Sequence, residues 1–422
     1  MIAPARRPSL MGALIRPGSL LVLVSLLLAL PARGAPPAER LDLSTGEWRE
    51  DLHALASQLQ RRHANAFHHV THDVFEREVA RLDSALAGLD GNAVFARLLR
   101  LSSMVGDAHT YVQIPAAYRP YPLAFRRFGD ELRVVRTTGA ADSALGTRLV
   151  SIDDTPVAEI CARLEPLLPQ AENAGFREAS IPGYLSLGGI LRGIGVVQDE
   201  RRARFTFADD RGAQIVLSLA PMASGTEASW HFTSPKLPLY RTKGRQPLAF
   251  TWLPESKTLY ANFRSYEGVG DRAHELFEFL DQHPVDRLVI DLRQNGGGDF
   301  NQGRRHLIEP IIRRPAINRD GHLFALIGPL TFSAAMTNAV DFRQRTRAML
   351  VGEPIGEKPN SYQEKDSFVL PRSHLQVSYS TKLYEFSPGK DVVAPDRVVA
   401  PTWEEFKAGR DPVLEWTLGC CR

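Results

Sequence analysis

Leu288-Val-Ile-Asp-Leu-Arg-Gln-Asn-Gly-Gly-Gly-Asp299 reads as a buried strand that runs into three consecutive glycines and then into a helix. Three glycines strip every side chain from the turn, so backbone N–H groups can approach an oxyanion or a phosphate closely. The run lacks the Gly-Lys-Ser/Thr of a phosphate-binding loop, and its glycine spacing is not that of a dinucleotide site. A simple tight turn would use the same residues, so the stretch has to be read with its neighbours.

Working outward, Leu259–Phe263 reads as a strand, Ala273–Leu280 as a helix and Val285–Leu292 as a nearly continuous apolar strand. Leu323–Gly328 and Met349–Gly352 read as two more strands, separated by a helix that begins near Ser333. Such alternation predicts an α/β unit with parallel strands. In Leu326-Ile-Gly-Pro-Leu-Thr-Phe-Ser-Ala-Ala-Met336 the serine lands at the helix start. It can serve there as a plain N-cap. It can also be a nucleophile at the positive end of the helix dipole, with the next amide facing a developing oxyanion.

The remainder divides by pattern. Phe75, Val79, Leu82, Leu86 and Leu89 form one helical face that Gly88 and Gly91 should end, and Val94, Leu98, Leu101 and Val105 form another, capped by Gly106. Between 111 and 220 the signal changes to short strands: Leu132–Val135, Leu149–Ile152, Ala203–Phe207 and Ile215–Leu219, with a short helix around Ile160. Residues 221–247 are polar and proline-bearing, as a linker would be. The expected division is therefore 35–110 helical, 111–220 a β module, 221–247 linker and 248–422 the α/β domain.

The first 34 residues stand apart. Arg6, Arg7 and Arg16 precede an apolar run from Leu20 to Leu30, followed by Pro31-Ala-Arg-Gly34. That is the layout of a secretory signal peptide, and an apolar run of eleven residues is too short to span a bilayer. The expectation is a secreted or periplasmic protein with no stable membrane insertion after cleavage. Removing that segment's four arginines from 51 basic residues leaves 47 against 48 acidic ones. A balance near zero gives no electrostatic case for nucleic acid. Cys161, Cys420 and Cys421 make no disulfide framework for 422 residues, and none lies in a glycine-rich or histidine-bearing loop.

Asp-Leu-Arg-x-Asn-x-Gly-Gly, then x-Thr-x-Ser-Ala-x about forty residues on, then Leu350-Val-Gly-Glu-Pro354 resembles the tail-specific, or C-terminal processing, peptidases of the S41 type. The tricorn core and the repeats of interphotoreceptor retinoid-binding protein share that fold. Val393-Ala-Pro-Asp396, Gly409-Arg-Asp-Pro-Val-Leu-Glu415, Val105-Gly-Asp-Ala-His-Thr110 and the segment His63–Phe67 add to the resemblance. Gly146 to Ile160 resembles the second half of a PDZ module, although that module's carboxylate-binding loop is not recognisable. The implied architecture is an α/β catalytic domain with a ClpP/crotonase-like βαβ core, preceded by a helical region and a degenerate PDZ-like β module.

The resemblance implies an exported serine endopeptidase acting on peptide or protein substrates, with no cofactor. Ser333 matches the nucleophile, and the amides of Ala334 and Gly297 match the oxyanion donors. Two bases are open. A dyad branch uses a lysine, which Lys358 in Gly352-Glu-Pro-Ile-Gly-Glu-Lys358 would supply; the tricorn branch uses a histidine, which His109 would supply. A buried lysine must be held neutral, and Glu357 beside Lys358 works against that, so His109 is preferred. Asp391 is the closest match to the acid that orients the histidine, and Glu364 lies in another loop resembling an active-site segment. The histidines at 63, 68, 69 and 72 mimic a metal cluster, but no Glu sits between them as in His-Glu-x-x-His, no cysteine or carboxylate cluster supports them, and no metal is expected. Two rival readings keep the fold: a binding protein for a small hydrophobic ligand or peptide, with the serine only a cap, and a hydrolase of small esters or short peptides.

Overall fold

A computed structural model describes residues 38–223, 229–234, 236–242 and 246–420. The signal-peptide reading of residues 1–34 falls outside them, as does Cys421.

Three helices open the chain: Thr45–Arg62, His72–Ala85 and Gly91–Val105. Each start is chemically marked. Ser44 and Glu47 form a capping box, and Thr71 and Asp90 accept an N–H from the first turn of their helices. Gly106 ends the third helix with φ of 117°, a backbone state that other residues resist. Gly91 corrects the sequence reading. It opens the third helix rather than closing the second, and a Cβ there would run into the Leu41 carbonyl.

An antiparallel sheet follows, with the strands Leu123–Phe128, Glu131–Thr137, Arg148–Ile152, Ala203–Ala208 and Gln214–Leu219 paired in that order. Its inner face and the three helices bury their apolar side chains in one core, where Leu52, Phe75, Phe95, Tyr121, Phe205 and Phe207 are almost wholly enclosed.

The second core belongs to a six-stranded sheet. Its order is Arg397–Val398, Met349–Gly352, Leu323–Ile327, Arg287–Asp291, Thr258–Phe263 and Leu248–Leu253. All pairings are parallel except that of the last edge strand. The helices Val269–Gln282 and Ala334–Arg345 cover one face, and Pro412–Gly419 packs on the other. Burial from both sides explains why Arg287–Asp291 and Leu323–Ile327 are buried at every position.

A third, small sheet joins the two halves of the sequence. Asn360–Val369 and Gln376–Glu385 form a hairpin, and Tyr111–Val112 pairs with its second strand, Tyr111 opposite Ser378. The sequence reading did not anticipate this hairpin. Among the described residues no helix is long and apolar enough to cross a membrane.

Candidate active site

In open α/β sheets, ligand sites gather outside the carboxyl ends of the parallel strands. Three adjacent strands end together here, and each delivers one part of the site. Arg287–Asp291 leads into the glycine run at 296–298. Leu323–Ile327 leads into the turn that carries Ser333, and Met349–Gly352 leads into the loop that carries Glu357.

Ser333 occupies the N-cap position of Ala334–Arg345, but its side chain makes no capping hydrogen bond. Its backbone sits at φ 54° and ψ −123°, a state that costs a non-glycine residue about 1–3 kcal/mol. The turn is held on both sides: Phe332 N–H donates to the Asn295 carbonyl at 3.0 Å, and Ser333 N–H donates to Glu357 Oε2. The hydroxyl freed from capping meets His109 instead, with Oγ 3.1 Å from Nε2.

The His109 ring is buried and stacks on Phe332, ring centroids 4.8 Å apart. Its loop is stapled to the small sheet, because Asp107 Oδ1 accepts the Ser380 hydroxyl at 2.5 Å and Ser380 N–H donates to Thr110 Oγ1 at 3.2 Å. Burial pushes the His109 pKa down to about 4, against the pull of Asp107. The ring is therefore neutral near pH 7. For Nε2 to accept the serine proton, the ring proton must sit on Nδ1. Nδ1 faces Glu357 Oε1 at 3.7 Å, and both atoms are buried without a hydrogen-bond partner. That separation is too long for a hydrogen bond, and a shift of under about 1 Å would make one.

Glu357 is fully buried, and its pKa is raised by that burial and by the neighbouring Glu172 carboxylate. The sequence reading had treated Glu357 only as an obstacle to Lys358. Asp391, its choice for the orienting acid, lies on the surface with its side chain 94% exposed, 4.0 Å from Lys358 Nζ. The Lys358 ammonium thus faces Asp391, and the hydrogen bond at Ser333 Oγ is made by His109. Glu364 is exposed on the hairpin and accepts the Tyr384 hydroxyl.

The glycine run packs directly on the serine. Gly297 has φ of 102°, and a Cβ there would lie 2.6 Å from Ser333 Cβ and 3.2 Å from Ala334 N. Its own N–H donates to Asn295 Oδ1 at 2.9 Å, so this amide is engaged within its loop. Beneath the loop, Arg293 bridges Asp291 and Asp411: Nη2 lies 2.6 Å from Asp291 Oδ2, and Nη1 and Nη2 each lie 2.8 Å from an Asp411 oxygen. Tyr260 also donates to Asp291 at 2.6 Å. This buried network links Asp-Leu-Arg to the distant Gly-Arg-Asp-Pro segment. The sequence reading noted both motifs without giving either acid a role.

The histidine group also resolves into hydrogen bonds. His63, His68 and Asp107 place their possible ligand atoms within 4.8 Å of one another. His63 Nδ1 accepts the Asn65 N–H at 2.9 Å, so its Nε2 carries the proton and donates to Asp107 Oδ2 at 2.9 Å. Burial raises the Asp107 pKa, but the His63 and Ser380 hydrogen bonds outweigh it and hold the group below the usual carboxylate range. A cation would have to break these bonds to bind. Cys161 is a free, half-buried thiol beside Arg127.

No family model matches the sequence, and no curated protein matches it. Solved structures do. The chain is similar to mature CPAF at 12% identity and a TM-score of 0.59, over 88% of this chain and 96% of that one. It also matches the photosystem II D1 C-terminal processing protease (14% identity, TM-score 0.41, 87% and 98% covered). A further match is the tricorn protease (12% identity, TM-score 0.39, 89% and 36% covered). The likeness to CPAF, which runs through nearly the whole of both chains, concerns the fold alone: this chain shares the fold of CPAF.

Proposed function

We propose that this chain is an exported serine peptidase in which Ser333 is the nucleophile, His109 the base and Glu357 the acid that orients the base. One observation carries the reading. Ser333 holds an N-cap position in a strained backbone state, yet its hydroxyl is turned away from the helix and onto a buried neutral imidazole. A serine used only to cap would bond the first-turn amides and would need no strain.

In the proposed reaction, Ser333 Oγ attacks the peptide carbonyl while His109 Nε2 takes its proton. The imidazolium then gives that proton to the departing amine, leaving an acyl-enzyme that water hydrolyses by the same route. Glu357 would close on Nδ1 as the ring becomes charged. The Ala334 amide, at the N-terminus of its helix, and the Gly297 amide would hold the oxyanion once Gly297 N–H exchanges Asn295 Oδ1 for substrate. The antiparallel sheet, as a PDZ-like module beside a ClpP/crotonase-like core, would serve peptide substrates, cleavage near the C-terminus included.

The test is labelling of the mature protein by a fluorophosphonate probe, run with Ser333→Ala alongside, and then turnover of a peptide panel against an ester panel. Labelling of wild type alone supports the nucleophile, and cleavage of peptides above esters supports the peptidase. A folded wild type that never labels between pH 6 and 9 would return Ser333 to a capping role and favour a binding protein.

A further inference from the structure

Glu172 lies in the antiparallel-sheet half of the molecule, just before the helix Ala174–Tyr184. It is buried, and each carboxylate oxygen accepts a backbone N–H from a different place: Oε1 from Ala108 at 3.2 Å and Oε2 from Lys358 at 2.8 Å. Ala108 immediately precedes His109, and Lys358 immediately follows Glu357. One carboxylate therefore spans the loops of the proposed base and the proposed acid. Its neighbours repeat the bridge, because Ala171 N–H donates to the Gly106 carbonyl at 2.9 Å and Asn173 Nδ2 to the Ile355 carbonyl at 3.0 Å.

Resting on the serine-peptidase reading above, we infer that Glu172 is a positioning residue for that chemistry: it holds Ala108 and Lys358 so that His109 Nδ1 and Glu357 Oε1 face each other, and its charge governs that of Glu357. Two backbone N–H groups could be met by carbonyls at far lower cost than by a buried carboxylate. The choice is costlier still beside a second buried carboxylate, since two like charges in one dry site cannot both ionise freely. The groups facing Glu172 are Asp107 from the base loop, Glu357 and Lys358 from the acid loop, and Arg177, which donates to the Glu172 carbonyl from its own helix at 2.6 Å. His69 lies within the field of Lys358 and Arg177. Burial first pushes both glutamates upward, with Asp107 adding to it at Glu172 and the Glu172 charge adding to it at Glu357, so the pair retains protons into a range where an isolated carboxyl would have lost them. Orientation of His109 requires an ionised Glu357, so the pair sets the acid limb of the reaction.

Glu172→Gln tests this. Glutamine can accept only one of the two N–H groups and removes the like charge. With a rhodamine-tagged alkyl fluorophosphonate, the maximal labelling rate of Ser333 should fall about tenfold or more. The probe's half-saturation should stay unchanged and the acid limb should move to lower pH. Glu172→Ala should lose at least as much rate. A Glu172→Gln protein that labels like wild type, or one that slows with an unmoved acid limb, overturns the inference. Failure of both variants to fold, judged by thermal melting, overturns it too, because Glu172 would then be a folding residue only. A wild type that does not label sinks the serine reading itself, an outcome distinct from all of these.

Discussion

Replacing Glu357 with glutamine should disable the site while leaving its shape almost intact. The glutamine carbonyl can still accept the Ser333 N–H, which places the amide NH2 toward His109 Nδ1. Two donors then face each other. The ring escapes by moving its proton to Nε2, where it can no longer accept from Ser333. The lost charge matters as well. At the 3.7 Å separation in the structure, a carboxylate attracts an imidazolium by about 4–5 kcal/mol at an effective dielectric of about 20. That corresponds to a rate loss of about three orders of magnitude, read as the maximal rate of fluorophosphonate labelling at pH 8. Asp391→Asn should change nothing, because that carboxylate is exposed and faces Lys358. If folded Glu357→Gln labels within about threefold of wild type, a loss under about 0.7 kcal/mol, the orienting role is refuted.

The base is assigned by a pair of variants: His109→Ala should cut labelling by about four orders of magnitude or more. Lys358→Ala, which keeps the backbone bond to Glu172, should stay within about twofold. Gly297→Ala would set a Cβ against Ser333 at a φ of 102°, so labelling should fall about a hundredfold and the melting temperature should drop with it. Asp411→Ala removes two hydrogen bonds from the buried Arg293 guanidinium while Asp291 still pairs its charge, so urea denaturation should show a loss of about 1.5–3 kcal/mol. Stability should also carry a His109 signature. The folded ring sheds its proton near pH 4 and the unfolded ring near 6.5, so between those values only the unfolded chain binds it. Wild type should therefore lose stability as pH falls through that window, and His109→Asn should lose less, compared by urea midpoints at pH 7 and 4.5.

What was legible in the sequence was local. The glycine run and Ser333 lie at strand-to-helix junctions, where residue type, turn and element order appear within a dozen positions. The three parallel strands of the site announced themselves as apolar runs because both of their faces are covered. Glu357 and Glu172 were not legible, since a carboxylate's burial is decided by what packs on it from elsewhere in the chain. Glu357 stood in view beside Lys358, and its meaning changes only when His109, some 250 residues earlier, arrives opposite it. The hairpin was missed for a related reason. Its strands are polar and half exposed, so the alternation that marks a strand is weak, and its pairing with Tyr111–Val112 has no local signal.

That hairpin explains how so dispersed a site can be aligned. Three of its parts need no special arrangement, because adjacent parallel strands end at one edge of one sheet. The base does need one, since His109 comes from the helical half of the molecule. The chain leaves Glu357, forms the hairpin at once, and the hairpin's second strand captures Tyr111–Val112 two residues after His109. Ser380 on that strand reaches back to Asp107 and Thr110, so the loop is fixed on both sides of the imidazole. The acid and the base are thus placed by one small sheet, and Glu172 ties the same two loops from a separate part of the chain. An alignment held by two separate elements fits a 3.7 Å gap between His109 and Glu357 at rest, because a movement of under about 1 Å closes it into a hydrogen bond.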